Sequence, residues 1–292
     1  MSEQVKVILD ATTLTTVQAC ARLADLRLNR SFQSSHGKSK AMEMGQIVHT
    51  YLETKYGNQI KGFNRKQSHE YGMTAAQIYT KSPDVQNTSD DDIAHALDTC
   101  EQYNLYYMNE TWTPLEVEVV KKQVLYEDEE IKILWKAKLD LIADTSQGIY
   151  PVDHKTMSQR RDTVSLNNQF MGQCILLGTR IVFINKIGFQ KTLKPNEKFT
   201  RVPVTYTSDR LLEWQSIILP YWAKQMVLYN ETNYYPPNFT HCESKYGFCQ
   251  FKDICELNPN LREESLGHDF IVTEKWDPQT NDATKSTEDS NS

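Results

Sequence analysis

The feature that most constrains the fold is the stretch Leu139–Thr156, LDLIADTSQGIYPVDHKT. Its apolar runs flank a turn rich in Asp, Ser and Gly, which predicts two strands joined as a hairpin. Alternate side chains of a strand share a face, so Asp153 and Lys155 point one way and His154 points the other. Pairing of the two strands brings Asp140 toward the same place. Two carboxylates beside a lysine predict a site for a hard divalent cation, of the kind that cleaves phosphodiester bonds.

Helices and further strands surround this hairpin. Residues 12–30 and 42–56 carry helical apolar stripes, and β-rich runs fill residues 115–207 apart from a helix at 164–177. This mixture predicts an α/β core. The expected segments are N-terminal helices at 1–57, a helical insertion at 58–112, the core at 113–230, a cysteine segment at 231–267 and a disordered acidic tail at 268–292.

The helix predicted at Met42–Tyr56 presents three unusual positions on one face. Gly45, His49 and Glu53 recur every four residues, which places them one above the other. Gly45 leaves room for a close approach of the backbone. A histidine on such a helix is either a hydrogen-bonded packing residue or a metal ligand.

Composition excludes a membrane protein and leaves a nucleic-acid partner open. The chain has no run of 18 apolar residues, and its N-terminus lacks the pattern of a signal peptide, so we expect a cytoplasmic protein without membrane contact. The formal net charge is −6, but six acids and two lysines from Asp269 onward account for −4 of it. A locally basic cleft is therefore compatible with the composition.

Three of the six cysteines lie close together near the C-terminus. Cys242, Cys249 and Cys255 are separated by six and five residues, which supplies three ligands for a site that needs four. Cytosolic thiols stay reduced, so metal binding is a better explanation than disulfides. The fourth ligand is either His241, which suits zinc, or Cys20, which suits an iron–sulfur cluster.

The order of these features resembles the PD-(D/E)XK nuclease superfamily. The motifs that carry the resemblance are GQIVH, LD, VDHKT, NNQFMGQ and C-x6-C-x5-C, preceded by a cysteine. More narrowly, the chain resembles the RecB-like branch that carries an iron–sulfur cluster, with AddB-type subunits, CRISPR-associated exonucleases and phage nucleases. The resemblance covers roughly residues 10 to 257, without the insertion.

The resemblance implies a fold and a catalytic set. The fold is a restriction-endonuclease-like α/β core, with a mixed central sheet flanked by helices, an N-terminal helical region and a C-terminal cysteine cluster. Asp140 and Asp153 match the two acids, and Lys155 matches the lysine of the D-x-K motif. His49 matches a helical histidine of the metal shell. Mg²⁺ or Mn²⁺ would then be bound by these acids, His49 and the His154 carbonyl.

The resemblance also implies a helix motif and a metal cluster. Gln169 matches the glutamine of a Q-x3-Y motif, but Gln173 stands where tyrosine is usual. A structural 4Fe–4S cluster would link the two ends of the chain, with zinc as the alternative occupant. The gap after Cys242 is longer than the common C-x2-C spacing. The four matched cluster ligands are Cys20, Cys242, Cys249 and Cys255.

Together these features predict a metal-dependent DNA nuclease, most simply an exonuclease. We expect it to act on single-stranded DNA or duplex ends in processing, repair or recombination, with recombination or CRISPR-type protein partners in a prokaryotic or phage context. Lys38, Lys40, Arg160 and Arg161 are candidate phosphate contacts, although solvated surface charge explains them as well. The alternative is a nucleic-acid-binding or assembly module that keeps the fold without cleavage.

Overall fold

The computed structural model describes residues 4–34, 38–157, 166–244 and 247–274. Two of the candidate DNA contacts, Arg160 and Arg161, lie outside these residues. The same holds for residues 275–292 of the expected acidic tail.

Helices and strands are interspersed along the described residues. The strands are β1 Val5–Leu9, β2 Phe32–Ser34, β3 Thr113–Glu127, β4 Ile131–Thr145, β5 Gly148–Met157, β6 Ile181–Gly188, β7 Phe199–Thr205, β8 Glu243–Ser244, β9 Gly247–Phe248 and β10 Phe270–Val272. The α-helices are α1 Ala11–Ala19, α2 Ala21–Ala24, α3 Lys40–Ile60, α4 Arg65–Tyr79, α5 Asp90–Tyr106, α6 Asn168–Leu176, α7 Pro195–Lys198, α8 Ser208–Glu213, α9 Leu219–Thr232, α10 Lys252–Glu256 and α11 Arg262–Asp269.

The chain divides into two compact units, and strands β3 and β4 contribute to both. The terminal unit consists of Met1–His36, Lys122–Ala137 and Asp209–Ser292. The site unit consists of Gly37–Lys121 and Lys138–Ser208.

The terminal unit is built on a parallel strand pair. Val5–Leu9 runs parallel to Ile131–Trp135, and the β-branched residues of both segments suit a strand. Trp135 packs edge-to-face on Trp214, with ring centroids 5.0 Å apart. Both indoles are fully buried, so these aromatic rings dominate the core of this unit.

The site unit contains the predicted hairpin within a mixed sheet. Strands β4 and β5 pair antiparallel, β5 and β6 pair parallel, and β6 and β7 pair antiparallel. Helix α3 packs against β5 and against helices α4 and α5. This arrangement confirms the expected mixed central sheet flanked by helices.

Helix α3 is longer than the sequence predicts. Ser39 caps its start by accepting a hydrogen bond from the N–H of Met42, and the helix continues through Gly57 to Ile60. The chain turns at Gly62, whose φ of 90° is readily adopted only by glycine. The helix therefore crosses the expected segment boundary at residue 57.

The expected insertion at 58–112 contains helices α4 and α5. Their small residues Ala76 and Ala96 are fully buried, which lets these helices pack closely with α3. Cys100 is fully buried in the same cluster. Tyr103 is also buried there and reaches the sheet, as described below.

Two expectations about the ends of the chain need correction. The sequence places Cys20 within a helix, whereas the residue has an extended backbone (φ −168°) between α1 and α2. The tail expected to be disordered from residue 268 begins with ordered structure, because β10 pairs with β2 through Phe270 and Ser34. The apolar residues Phe270, Ile271 and Val272 provide this pairing segment.

Candidate active site

The β4–β5 hairpin brings the two predicted acids together. Its paired register ends at Leu141 and Val152, so Asp140 and Asp153 are the first residues beyond it on each strand. From this point β5 pairs with β6 instead. The N–H of His154 donates a hydrogen bond to Asp140 Oδ2 at 2.8 Å, which fixes that carboxylate against the neighbouring strand.

A closed ring of polar contacts holds Asp153, Lys155 and Gln169. The Gln169 amide donates to Asp153 Oδ1 at 2.7 Å, and Lys155 Nζ lies 2.8 Å from Asp153 Oδ2. Lys155 Nζ also donates to Gln169 Oε1 at 3.3 Å. Helix α6 carries Gln169, and Asn167 caps the start of that helix. The ring fixes one carboxylate and one ammonium on the same face of β5, as strand alternation predicts.

A third carboxylate, from Glu118 on β3, joins this site. His49, Glu118 and Asp140 each offer a ligand atom, and these atoms lie within 4.8 Å of one another. Glu118 has a φ of 50°, which is uncommon for a residue with a side chain. Lys138 Nζ lies 2.5 Å from Glu118 Oε2. Glu118 is not among the residues predicted from the sequence, because EVEVV has the alternation of an ordinary strand and no local pattern in it indicates a left-handed backbone.

The electrostatics of the site favour a bound cation. Burial, together with the charges of Asp153 and Glu118, raises the pKa of Asp140 well above its usual range. Burial lowers the pKa of His49, which favours the neutral imidazole that ligates metals. Burial opposes the charge of Lys155, but its neighbouring carboxylates outweigh this effect and raise its pKa. Crowded carboxylates with a neutral histidine are a donor set that fits Mg²⁺ or Mn²⁺.

The side chain of His154 faces away from the acids and is anchored in the interior. Its ring stacks on Tyr56, with centroids 5.9 Å apart, and its Nδ1 lies 2.8 Å from the Asn185 amide nitrogen. Asn185 also donates to the Tyr103 hydroxyl at 3.0 Å. Helix α5 is therefore linked, through Asn185 of β6, to the strand that carries Asp153.

Gly45 allows α3 to approach the strand beside Lys155. A Cβ atom at Gly45 would lie 2.8 Å from Thr156 Oγ1, closer than side chains tolerate. His49 follows one turn later on the same face of the helix. The four-residue spacing of Gly45 and His49 thus places the histidine one turn after the close contact between α3 and Thr156, over the hairpin.

The sequence profile of the PD-(D/E)XK nuclease superfamily matches residues 9–256 of this chain. The chain belongs to this superfamily. Its structure resembles a protein of Eubacterium rectale provisionally described as an exonuclease, with a TM-score of 0.50 and 13% identity over 86% of this chain and 89% of that one. The solved structure of LHK-Exo in complex with dAMP has a TM-score of 0.31 and 7% identity, over 65% of this chain and 98% of that one. No curated protein matches the chain.

Membership in the PD-(D/E)XK superfamily implies hydrolysis of phosphodiester bonds in nucleic acid. None of the helices in residues 4–34, 38–157, 166–244 and 247–274 has the length and apolar character needed to cross a bilayer.

Three other predicted positions in the nuclease have defined surroundings. Gln173, one turn after Gln169 on α6, is buried. Lys38 pairs with Asp84 at 3.0 Å, and Lys40 pairs with Asp92 at 2.7 Å. Both lysines are exposed, so their role as phosphate contacts stays a prediction.

The four predicted cluster cysteines line one small pocket of the terminal unit, together with His241. The Cys249 N–H donates to the Cys242 carbonyl at 2.8 Å, and the Asn238 N–H donates to Cys20 Sγ at 3.2 Å. Burial and the neighbouring thiols raise the pKa of Cys242 and Cys249. Among the described residues, no three of these sulfur atoms lie within 4.8 Å of one another.

Proposed function

We propose that the protein is a metal-dependent deoxyribonuclease of the RecB-like branch that acts as an exonuclease. The observation that carries the proposal is the convergence of Asp140, Asp153, Lys155 and Gln169 with His49 and Glu118. The likeness to the Eubacterium rectale protein supports the exonuclease assignment at the level of the fold.

The residues that would hold Mg²⁺ or Mn²⁺ are His49, Glu118, Asp140, Asp153 and the His154 carbonyl. A bound divalent cation lowers the pKa of a coordinated water and offsets charge on the phosphate. Glu118 extends the set expected from the sequence.

The side chains around the cation site have separate tasks. Lys155 is held by Asp153 and Gln169, so its ammonium is positioned before substrate arrives. There it orients the attacking water or stabilises the charge that develops on the phosphate. Gln169 fixes the positions of Lys155 and Asp153 through its hydrogen bonds to both side chains. The N–H of His154 fixes the carboxyl group of Asp140 in the same way.

The first test is digestion of 5′- and 3′-labelled single-stranded and duplex DNA with Mg²⁺, Mn²⁺ or EDTA. We expect release of terminal nucleotides in the presence of either cation and intact DNA in EDTA. The end from which label is lost reports the polarity. Binding of DNA without any cleavage, by protein that binds Mn²⁺, would instead favour a non-catalytic binding or assembly module.

We further propose that Cys20, Cys242, Cys249 and Cys255 bind a structural 4Fe–4S cluster. Four thiolates from two distant parts of the chain match the ligand set of such a cluster. Zinc, with His241 as a ligand, is the alternative occupant of this site.

Iron and sulfide analysis of anaerobically purified protein tests this cluster. Cys249→Ser should lose most of the iron and the visible thiolate-to-iron absorption, because one of four ligands is removed. Cys174→Ser is the matched control, since Cys174 is buried in α6 and we expect it to retain iron. Zinc in place of iron in the wild-type protein would contradict the cluster and implicate His241.

A further inference from the structure

One lysine at the candidate active site has no role in the proposed chemistry. Lys138 lies on β4 two residues before Asp140, so both side chains point to the same face of the strand. Its ammonium is 2.5 Å from Glu118 Oε2. Its side chain is 40% exposed, whereas that of Glu118 is 15% exposed.

The two active-site lysines are held in different ways. Lys155 contacts both Asp153 and Gln169, which are themselves fixed by each other. Lys138 has a direct contact with Glu118 alone among the ion pairs of the described residues, and Glu53 and Asp140 act on it only through their charge. A half-exposed lysine on a flexible stem can change partner at low cost.

The ammonium of Lys138 and a divalent cation compete for the negative charge of the Glu118 carboxylate. It belongs to the group with His49 and Asp140 whose ligand atoms lie within 4.8 Å of one another. The ammonium of Lys138 thus stands as a single positive charge at a carboxylate that a doubly charged ion would bind. When that ion binds, it takes over the charge of Glu118 and leaves the ammonium without its counter-charge at the edge of the site.

We propose that Lys138 exchanges partners, contacting Glu118 when no cation is bound and a DNA phosphate when the cation is present. A phosphate oxygen is the anion that the substrate brings to this face, and lysine binds phosphate as a point charge. The inference rests on the proposed nuclease function. It assigns Lys138 to substrate positioning and makes cation binding a step that prepares the DNA contact.

Lys138→Met separates this role from a purely structural one, because two affinities should change in opposite directions. Removal of the competing ammonium should tighten Mn²⁺ binding to the DNA-free protein about 3- to 10-fold, as measured by the electron paramagnetic resonance of free Mn²⁺. DNA binding in Ca²⁺ should weaken, and the slope of log affinity against log salt should fall by about 1.

Two further variants complete the test. Lys132→Met removes another lysine of β4, paired with Glu127 at 2.9 Å, and should leave the Mn²⁺ affinity unchanged. Lys138→Arg keeps the charge and should restore the salt slope. Unchanged or weaker Mn²⁺ binding by Lys138→Met, or an unchanged salt slope, overturns the exchange. Failure of wild-type protein to digest DNA overturns the nuclease proposal alone, because the Mn²⁺ and salt measurements need no cleavage.

Discussion

Asp153→Asn should reduce DNA cleavage about 1,000-fold or more, equivalent to about 4 kcal/mol of transition-state stabilisation. Asp153 is fully buried and contacts both Gln169 and Lys155. The substitution removes a carboxylate oxygen from the cation site. It also places an amide, with its own donors, against the ammonium that the carboxylate now positions. The rate is measured at saturating Mn²⁺, so that weakened cation binding does not account for the loss.

Asp144→Asn provides the matched control for this prediction. Asp144 is an exposed acid on the same strand as Asp140, near the turn of the hairpin. We expect cleavage at the wild-type rate from this variant. Urea titration of Asp153→Asn shows whether the fold persists. A folded Asp153→Asn protein that keeps a tenth of the wild-type activity would contradict the assignment of this acid.

Glu110→Gln should lower the free energy of unfolding by about 3–5 kcal/mol, the range for breaking one side of a buried ion pair. Glu110 is the carboxylate partner of Arg201, and both side chains are about nine-tenths buried. The guanidinium lies between the rings of Tyr107 and Trp112, 4.0 and 4.1 Å from their centroids. Arginine does not deprotonate in proteins, so loss of Glu110 leaves a buried positive charge without its counter-ion.

The effect of Glu110→Gln should reach the active site. Arg201 donates to the hydroxyls of Tyr56 and Tyr103, and Tyr103 is linked through Asn185 to the ring of His154. Loosening this network frees the strand that holds Asp153 and Lys155, the proposed catalytic acid and lysine. We therefore expect cleavage to fall together with stability.

A surface ion pair provides the control for the buried one. Glu116 pairs with Lys121 at 2.7 Å, but the two side chains are 42% and 33% exposed. Glu116→Gln should cost no more than about 1 kcal/mol in the same urea titration. In the double variant Glu110→Gln/Arg201→Met, removal of the unpaired charge should restore part of the free energy of unfolding that Glu110→Gln loses. A loss below about 1 kcal/mol for Glu110→Gln would contradict the importance of the buried pair.

Local sequence patterns were sufficient to predict much of the fold. The alternation in Leu139–Thr156 identifies the hairpin and the shared face of Asp153 and Lys155, because side-chain direction in a strand follows from sequence spacing alone. The four-residue recurrence of Gly45 and His49 likewise identifies one face of α3. The ends of helices were harder to predict from the sequence. Helix α3 continues through Gly57 to Ile60, and the chain turns at Gly62, which has a positive φ.

The amino-acid sequence by itself determined the hairpin, the helix that carries His49, the two acids and the lysine proposed as catalytic, and the set of cysteines. These features depend on periodicity and residue type within short stretches. Only the tertiary structure decided that Glu118 joins the site, that Lys138 pairs with it, and that the insertion supports His154 through Tyr103. Each of these depends on residues from separate elements meeting in space, or on a strained backbone angle that no local pattern signals.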